Sequence, residues 1–160
     1  MYSNHSPRIA VFPGSFDPIT IGHEAIIRRA STLFDKIIVA VGHNTAKKIL
    51  FPLEHRMEWI RIALQDKSEV VEVQSFSGLT MDFCRKVNAQ FILRGLRTTT
   101  DFEFEYSAGQ VNRQIGDIET VLMLTDPQYT YISSSVVRDI FLHGGLYSSL
   151  IPKGINLVID

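Results

Sequence analysis

Five short apolar runs along the chain predict β-strands, because each is rich in strand-favouring residues and ends at a turn or a polar segment. The runs span residues 9–12, 36–42, 70–76, 91–93 and 119–124. The run at 36–42 has almost no alternation of polar and apolar residues, which is typical of a strand covered on both faces. A parallel sheet is therefore predicted.

Between the runs, apolar residues recur at the spacing of an amphipathic helix, in 26–34, 53–64, 79–87 and 136–141. Alternating strands and helices are typical of the α/β class. We predict one Rossmann-like domain over 1–160, a doubly wound five-stranded parallel sheet with helices on both faces. Residues 1–7 are predicted to be a flexible lead, and the C-terminal segment 146–160 is predicted to pack on the domain.

One segment has two readings. Phe102, Phe104 and Tyr106 alternate with Glu103 and Glu105, which by periodicity alone predicts a half-buried strand. From 107 to 115 the pattern becomes helical. In the helix at 53–64, the polar residues Glu54, His55, Arg56 and Glu58 are predicted to face mostly outward.

Charge and cysteine content narrow the function classes. The chain has 16 Lys and Arg against 17 Asp and Glu, a net charge of −1, so no general positive field attracts nucleic acid or a membrane. The single cysteine, Cys84, rules out an internal disulfide and a cysteine-built zinc site, and it is predicted to lie in the core. With a polar N-terminus and no long apolar run, we expect a cytoplasmic protein with no membrane or nucleic-acid partner.

The first strand runs into a glycine-containing turn and then a helix, over residues 12–23. This order brings backbone N–H groups and the positive end of a helix dipole to one place, which suits an anion. His23 lies on the inward side of the helix's first turn and could donate a hydrogen bond to that anion. A buried histidine with a purely structural role fits the same pattern.

Other polar residues follow later strands and are expected at the same sheet edge. Arg94 and Arg97 leave the fourth strand together, and the arginine fork suits phosphate oxygens. They could equally pair with Asp101, Glu103 or Glu105, and both roles are compatible. Ser133, Ser134 and Ser135 predict a second helix N-terminus, and two such ends at one edge suggest a nucleoside triphosphate.

Several ordered motifs together resemble the phosphopantetheine adenylyltransferase branch of the HIGH-motif nucleotidyltransferase superfamily. They are G-S-F-D-P at 14–18, T-x-G-H at 20–23, the loop with Lys47, R-G-L-R at 94–97 with D-F-E-F-E at 101–105, and I-S-S-S-x-x-R at 132–138. Thr20 occupies the first position of the superfamily's H-x-G-H pattern. The resemblance covers nearly the whole chain and favours helix over 101–106.

The resemblance implies a set of site residues. It implies catalytic roles for His23, Lys47 and Ser15. It implies contacts to phosphopantetheine from Ser15, Lys47, Thr80 and Arg94. The residues implied to contact ATP are Ser15, Phe16, His23, Gly95, Leu96, Arg97, Glu105, Tyr129, Thr130, Tyr131, Ile132, Ser133, Ser134 and Ser135.

The implied activity is adenylyl transfer from ATP to 4′-phosphopantetheine, giving dephospho-CoA and pyrophosphate by direct in-line attack. Mg²⁺ would arrive with ATP and no metal site on the protein is expected. The resemblance also implies a homohexamer, with coenzyme A as a feedback ligand. Two alternatives stay open: a sister transferase that accepts NMN, FMN or glycerol 3-phosphate, and a non-catalytic nucleotide sensor.

Overall fold

A parallel five-stranded sheet forms the centre of the protein, in a computed structural model that describes residues 6–43 and 48–159. The spatial order is β3-β2-β1-β4-β5. The strands are β1 (Ile9–Gly14), β2 (Lys36–Gly42), β3 (Val71–Phe76), β4 (Phe91–Leu96) and β5 (Glu119–Leu124). The predicted five-stranded parallel sheet is confirmed, although β4 continues through Arg94 and Gly95, three residues beyond the predicted end at Leu93.

Helices cover both faces of the sheet, as predicted. They are α1 (Ile21–Ala30), α2 (Leu53–Ala63), α3 (Thr80–Lys86), α4 (Thr99–Gly116) and α5 (Ser134–Leu142). On one face, Ile27 of α1, Ile60 of α2 and Val137 of α5 pack in one core with alternate sheet residues. On the other, Phe83 and Cys84 of α3 pack on the opposite set, so Cys84 is a core residue. Burial on both faces explains the continuous apolar run of β2.

The strand order places a crevice between β1 and β4. Ala10 of β1 pairs with Ile37 of β2 on one side and with Phe91 of β4 on the other. The chain leaves β1 toward α1 on one face, and it leaves β4 toward α4, which packs beside α3 and β5. Where successive connections diverge in this way, the carboxyl ends of the strands leave an opening in which ligands of open α/β sheets bind.

Residues 101–106 form part of α4, so the strand that periodicity predicts there is wrong and the helix that the resemblance favours is correct. The helix begins after Thr98, whose hydroxyl accepts from the Asp101 amide at 3.1 Å. The burial is opposite to that expected for a half-buried strand with its aromatic side chains inward. Phe104 is 71% exposed, whereas Glu105 is only 8% exposed. Glu105 faces inward because it pairs with an arginine of β4, a contact that periodicity cannot reveal.

The C-terminal segment returns to the sheet. Ile151 and Leu157 are buried in the same core as α1, α2 and α5, and the Tyr147 ring lies 5.5 Å from that of Phe141. The Leu150 carbonyl accepts from the Ile21 amide at 3.1 Å, at the first residue of α1. Residues 1–5 of the predicted lead lie outside the described residues.

Candidate active site

Three aromatic rings pack against one another at the turn after β1. Phe16 is almost fully buried, and its ring meets the rings of Phe12 and His23 edge-on, with centroids 5.6 and 5.2 Å apart. Phe16 has φ +45°, in the left-handed region that side chains rarely adopt. A Cβ on Gly14 would lie 3.0 Å from the Phe16 ring, a tight contact that glycine avoids.

Thr20 and His23 form a reciprocal cap at the start of α1. The Thr20 hydroxyl accepts from the His23 amide at 3.3 Å, and the Thr20 amide donates to His23 Nδ1 at 3.1 Å. Because Nδ1 accepts a hydrogen bond, the proton of the neutral imidazole is assigned to Nε2. His23 thus offers one N–H donor besides this cap.

The surroundings keep His23 neutral. Burial lowers the pKa of His23 most, and the positive charges of Arg97 and Arg94 lower it further, from 6.5 to about 4. At neutral pH the ring is therefore an uncharged hydrogen-bond donor.

Two cavities lie side by side at the carboxyl edge of the sheet. The first, about 390 Å³, extends from the turn and His23 to Arg97 and to the start of α5. The second, about 530 Å³, extends across Gly42 and Phe76 to Thr80. Four residues line both cavities: Pro13, Gly14, Ser15 and Arg94. A group bound in one cavity would therefore meet a group bound in the other beside Ser15 and Arg94.

Arg94 is held rigidly at this junction. Its Nη2 lies 2.7 Å from Glu105 Oε1, and its Nη1 donates to the Pro13 carbonyl at 2.8 Å. Arg97 pairs with Asp101, with Nε 3.1 Å from Oδ2. Partial burial raises the pKa of Asp101, but hydrogen bonds from Arg97 outweigh it and the pKa is lowered. The predicted ion pairs thus form with Asp101 and Glu105, while Glu103 is exposed.

The serines at the start of α5 have three different surroundings. Ser133 is the N-cap and its hydroxyl accepts from the Val136 amide at 3.2 Å. The Ser134 hydroxyl donates to the Pro18 carbonyl at 2.8 Å, which joins α5 to the first turn. Ser135 is exposed and accepts from Arg138 at 3.2 Å. The predicted second helix N-terminus is present, with Ser133 and Ser134 lining the first cavity.

Most residues predicted to contact ATP line the first cavity. These are Ser15, Phe16, His23, Gly95, Arg97, Glu105, Tyr129, Ile132, Ser133 and Ser134. Leu96 is buried, Tyr131 is 69% exposed, and neither they nor Thr130 and Ser135 belong to the lining. Of the predicted acceptor residues, Ser15, Thr80 and Arg94 line the second cavity, and Lys47 lies outside the described residues. Their roles toward ligands stay predictions.

Sequence reasoning missed the buried polar residues beneath the turn. Arg56, predicted to face outward, is 2% exposed and donates to the Ser15 carbonyl at 2.6 Å. Asp17 is 1% exposed and accepts from the amides of Leu50 and Phe51, both at 2.9 Å. Arg138 donates to the Asp17 carbonyl at 2.6 Å. The spacing of apolar residues in α2 did not indicate that Arg56 is buried. Two of the carbonyls that it binds, those of Ser15 and Gly42, come from distant segments.

Within residues 6–43 and 48–159, His, Cys, Asp and Glu side chains form no group of three that could hold a metal ion. The two carboxylates of the first cavity, Asp101 and Glu105, are already bound by arginines. In the same part of the chain, no helix is both long enough and apolar enough to cross a membrane.

Comparison with known proteins shows what this chain is similar to. The sequence profile of the family described as "Cytidylyltransferase-like" matches residues 11–140. A protein of Flavobacterium psychrophilum, named phosphopantetheine adenylyltransferase, is 49% identical over 150 residues, 94% of this chain and 99% of the relative. One of Geotalea daltonii with the same name is 47% identical over 154 residues, 96% of this chain and 95% of the relative.

Solved structures of lower identity share the fold. A bifunctional NMN adenylyltransferase/ADP ribose pyrophosphatase from Francisella tularensis, complexed with AMP and a Mn ion, superposes with a TM-score of 0.69 at 19% identity. The match covers 94% of this chain and 46% of that one. At such identity only the fold is comparable. The family profile and the full-length relatives decide the relationship: the chain belongs to the cytidylyltransferase-like family and, within it, to the phosphopantetheine adenylyltransferases.

Proposed function

We propose that this chain transfers the adenylyl group of ATP to 4′-phosphopantetheine, giving dephospho-CoA and pyrophosphate in coenzyme A biosynthesis. The observation that carries the proposal is the pair of cavities that share Ser15 and Arg94, since adenylyl transfer to a phosphate acceptor needs two phosphorylated substrates side by side. The name of the full-length relatives supports the identity of the acceptor.

We assign ATP to the first cavity. The N-terminal ends of α1 and α5 both open on it, together with Arg97, so backbone N–H groups and a cation are available to phosphates. The acceptor is assigned to the second cavity, with Arg94 and, by resemblance, Lys47 near its phosphate. Phe76 and Ile49 give that cavity apolar surface for a partly apolar substrate.

In the proposed reaction an oxygen of the acceptor's phosphate forms a bond to the α-phosphorus of ATP. The bond from that phosphorus to the bridging oxygen breaks, and pyrophosphate leaves with the electron pair. The nucleophile is already ionised, so no general base is required. Catalysis then rests on alignment and on donors that stabilise charge at phosphorus. The neutral His23 Nε2–H is the donor assigned here, and Ser15 and, by resemblance, Lys47 are assigned as further donors.

Mg²⁺ is proposed to accompany ATP, where it would neutralise phosphate charge. It would be bound mainly by phosphate and water oxygens, as is common for this ion. The described residues, 6–43 and 48–159, support this arrangement, since their His, Cys, Asp and Glu side chains form no group of three that could hold a metal ion.

From the resemblance we also propose that the protein is cytoplasmic and assembles as a homohexamer. We propose coenzyme A as its feedback ligand. Exposed apolar residues of α4 support self-association: Phe104 is 71% exposed and Ile115 is 66% exposed. Coenzyme A contains the acceptor's pantetheine moiety, which gives it a group for the second cavity. Light scattering after size-exclusion chromatography tests the assembly.

The decisive experiment measures pyrophosphate release from ATP with and without 4′-phosphopantetheine. We expect release only when both are present, with CTP a poor substitute for ATP. NMN, FMN and glycerol 3-phosphate serve as competing acceptors, and a faster reaction with one of them would assign a sister transferase. Binding of ATP without release in any mixture would indicate a nucleotide sensor.

A further inference from the structure

Arg56 is a buried cation directly beneath the turn that joins the two cavities. Its side chain donates to three backbone carbonyls that come from three different segments. Nη1 lies 2.6 Å from the Ser15 carbonyl and 3.3 Å from that of Gly42, and Nε lies 3.0 Å from that of Phe51. Burial lowers the pKa of the guanidinium while Asp17 raises it, and an arginine in this setting stays charged.

The shortest of these bonds acts on the residue common to both cavities. Ser15 lines each of them, and the next residue, Phe16, has the left-handed φ of +45°. Backbone in that region persists only when surrounding contacts hold it. The bond from Arg56 fixes the carbonyl of the Ser15–Phe16 peptide and thereby restrains the backbone from which the Ser15 side chain projects between the two cavities.

The segment just before α2, at Leu50 and Phe51, is tied to the same cluster. Asp17 accepts from the Leu50 and Phe51 amides, while Arg56 binds the Phe51 carbonyl, so this stretch is held from both sides. Arg138 of α5 adds a bond to the Asp17 carbonyl. The turn after β1, the end of β2, the segment before α2 and the middle of α5 therefore share one cluster of polar contacts.

We propose that Arg56 is a positioning residue for transfer between the two cavities, acting through Ser15. This inference rests on the proposed function. The planar guanidinium directs separate N–H groups at fixed angles to carbonyls of different segments. A lysine ammonium can replace some of these bonds but cannot reproduce the fork. Arg56 lines neither cavity, so its effect must pass through the residues it holds.

The test compares steady-state kinetics of Arg56→Met, Arg56→Lys and the control Arg28→Met. Arg28 also bridges two elements, since it binds Glu24, Asp66 and the Ala63 carbonyl, but it lines neither of the two cavities. We expect Arg56→Met to lower kcat by about ten- to a hundredfold with the KM for ATP changed less than about threefold. Arg56→Lys should recover part of kcat, and Arg28→Met should retain it.

A double-mutant cycle with Ser15→Ala separates positioning from general destabilisation. If Arg56 acts through Ser15, adding Arg56→Met to Ser15→Ala should lower kcat by less than about threefold further. Fully multiplicative effects would overturn the proposal, as would an unchanged kcat in Arg56→Met. If Arg56→Met does not fold, Arg56→Lys takes its place in the same cycle.

Hydrogen exchange supplies a readout that does not depend on activity. The Leu50 and Phe51 amides, bound by Asp17, should exchange faster in the Arg56 variants and unchanged in Arg28→Met. Wild-type protein that releases no pyrophosphate would refute the proposed function. In that case the positioning role in transfer falls with it. Unchanged exchange over 14–17 and 48–52 in the Arg56 variants would also refute the premise that Arg56 holds the turn, and faster exchange there would support that premise alone.

Discussion

Thr20 and His23 fix each other at the first turn of α1. The Thr20 amide donates to His23 Nδ1 at 3.1 Å, and the His23 amide donates to the Thr20 hydroxyl at 3.3 Å. Protonation of Nδ1 would break the first bond and place a positive charge near Arg94 and Arg97, which already lower the His23 pKa. The cap and the two cations thus favour the same neutral tautomer, with its proton on Nε2.

His23→Asn should separate capping from catalysis. The asparagine Oδ1 can accept from the Thr20 amide in place of Nδ1, but the Nε2–H donor is lost. We expect kcat to fall about a hundredfold or more, the usual cost of one transition-state donor, with the ATP dissociation constant little changed. His23→Ala should lower kcat similarly and also destabilise the fold. An unchanged kcat in both variants would remove His23 from the mechanism.

The lowered pKa of His23 predicts a loss of stability in acid. The unfolded chain protonates His23 near pH 6.5 and the folded chain only near pH 4, so between these values the unfolded state binds more protons. The contribution is complete above pH 6.5 and is lost as the pH falls toward 4, by at most roughly 3 kcal/mol. Urea denaturation measures the free energy of unfolding at pH 7 and at pH 4.5. Between these two pH values the wild type should lose about 2 kcal/mol more of it than His23→Asn does. Equal losses would contradict the low pKa.

Arg94→Ala should impair acceptor use more than ATP use. Arg94 lies at the junction of the cavities, whereas Arg97 remains available to the first one. The alanine variant also leaves Glu105 as a nearly buried carboxylate without its ion pair, so stability must be measured alongside. We expect the KM for phosphopantetheine to rise about tenfold or more, with the KM for ATP changed less. Arg113→Ala, which removes an exposed pair with Glu119, is the control.

The serines of α5 should differ in what they stabilise. Ser133→Ala removes the N-cap bond to the Val136 amide and should lower the free energy of unfolding by about 1 kcal/mol. Ser135→Ala, at an exposed position, should change it by less than about 0.5 kcal/mol. Thermal unfolding measures both. A larger loss in Ser135→Ala than in Ser133→Ala would contradict the capping assignment.

Much of this architecture could be predicted from local patterns. The apolar run of β2 predicted a strand covered on both faces, and the strand is buried along its length. Ser133 could be predicted as a helix cap because capping depends only on neighbouring residues. The turn at 14–18, Arg94 of β4 and Arg97 just after it could be assigned to one sheet edge, because the carboxyl ends of parallel strands meet there.

Non-local pairing could not be predicted in the same way. The alternation of aromatic residues in α4 suggested a strand. The residue that faces inward is instead Glu105, because it forms an ion pair with Arg94 of β4. Arg56 was predicted to face solvent, as arginines usually do. Its guanidinium donates to the carbonyls of Ser15 and Gly42, from distant segments, and of Phe51 just before the helix, and none of these bonds is visible in the pattern of α2.

The sequence by itself determined the α/β class, the five strands and the motifs that line the candidate site, since each depends on short-range periodicity or on a continuous string of residues. Only the tertiary structure decided that the site has two cavities, that Ser15 and Arg94 belong to both, and that Arg56 and Asp17 support the turn between them. Those relationships depend on strand order and on buried hydrogen bonds between segments, which exist only once the chain has folded.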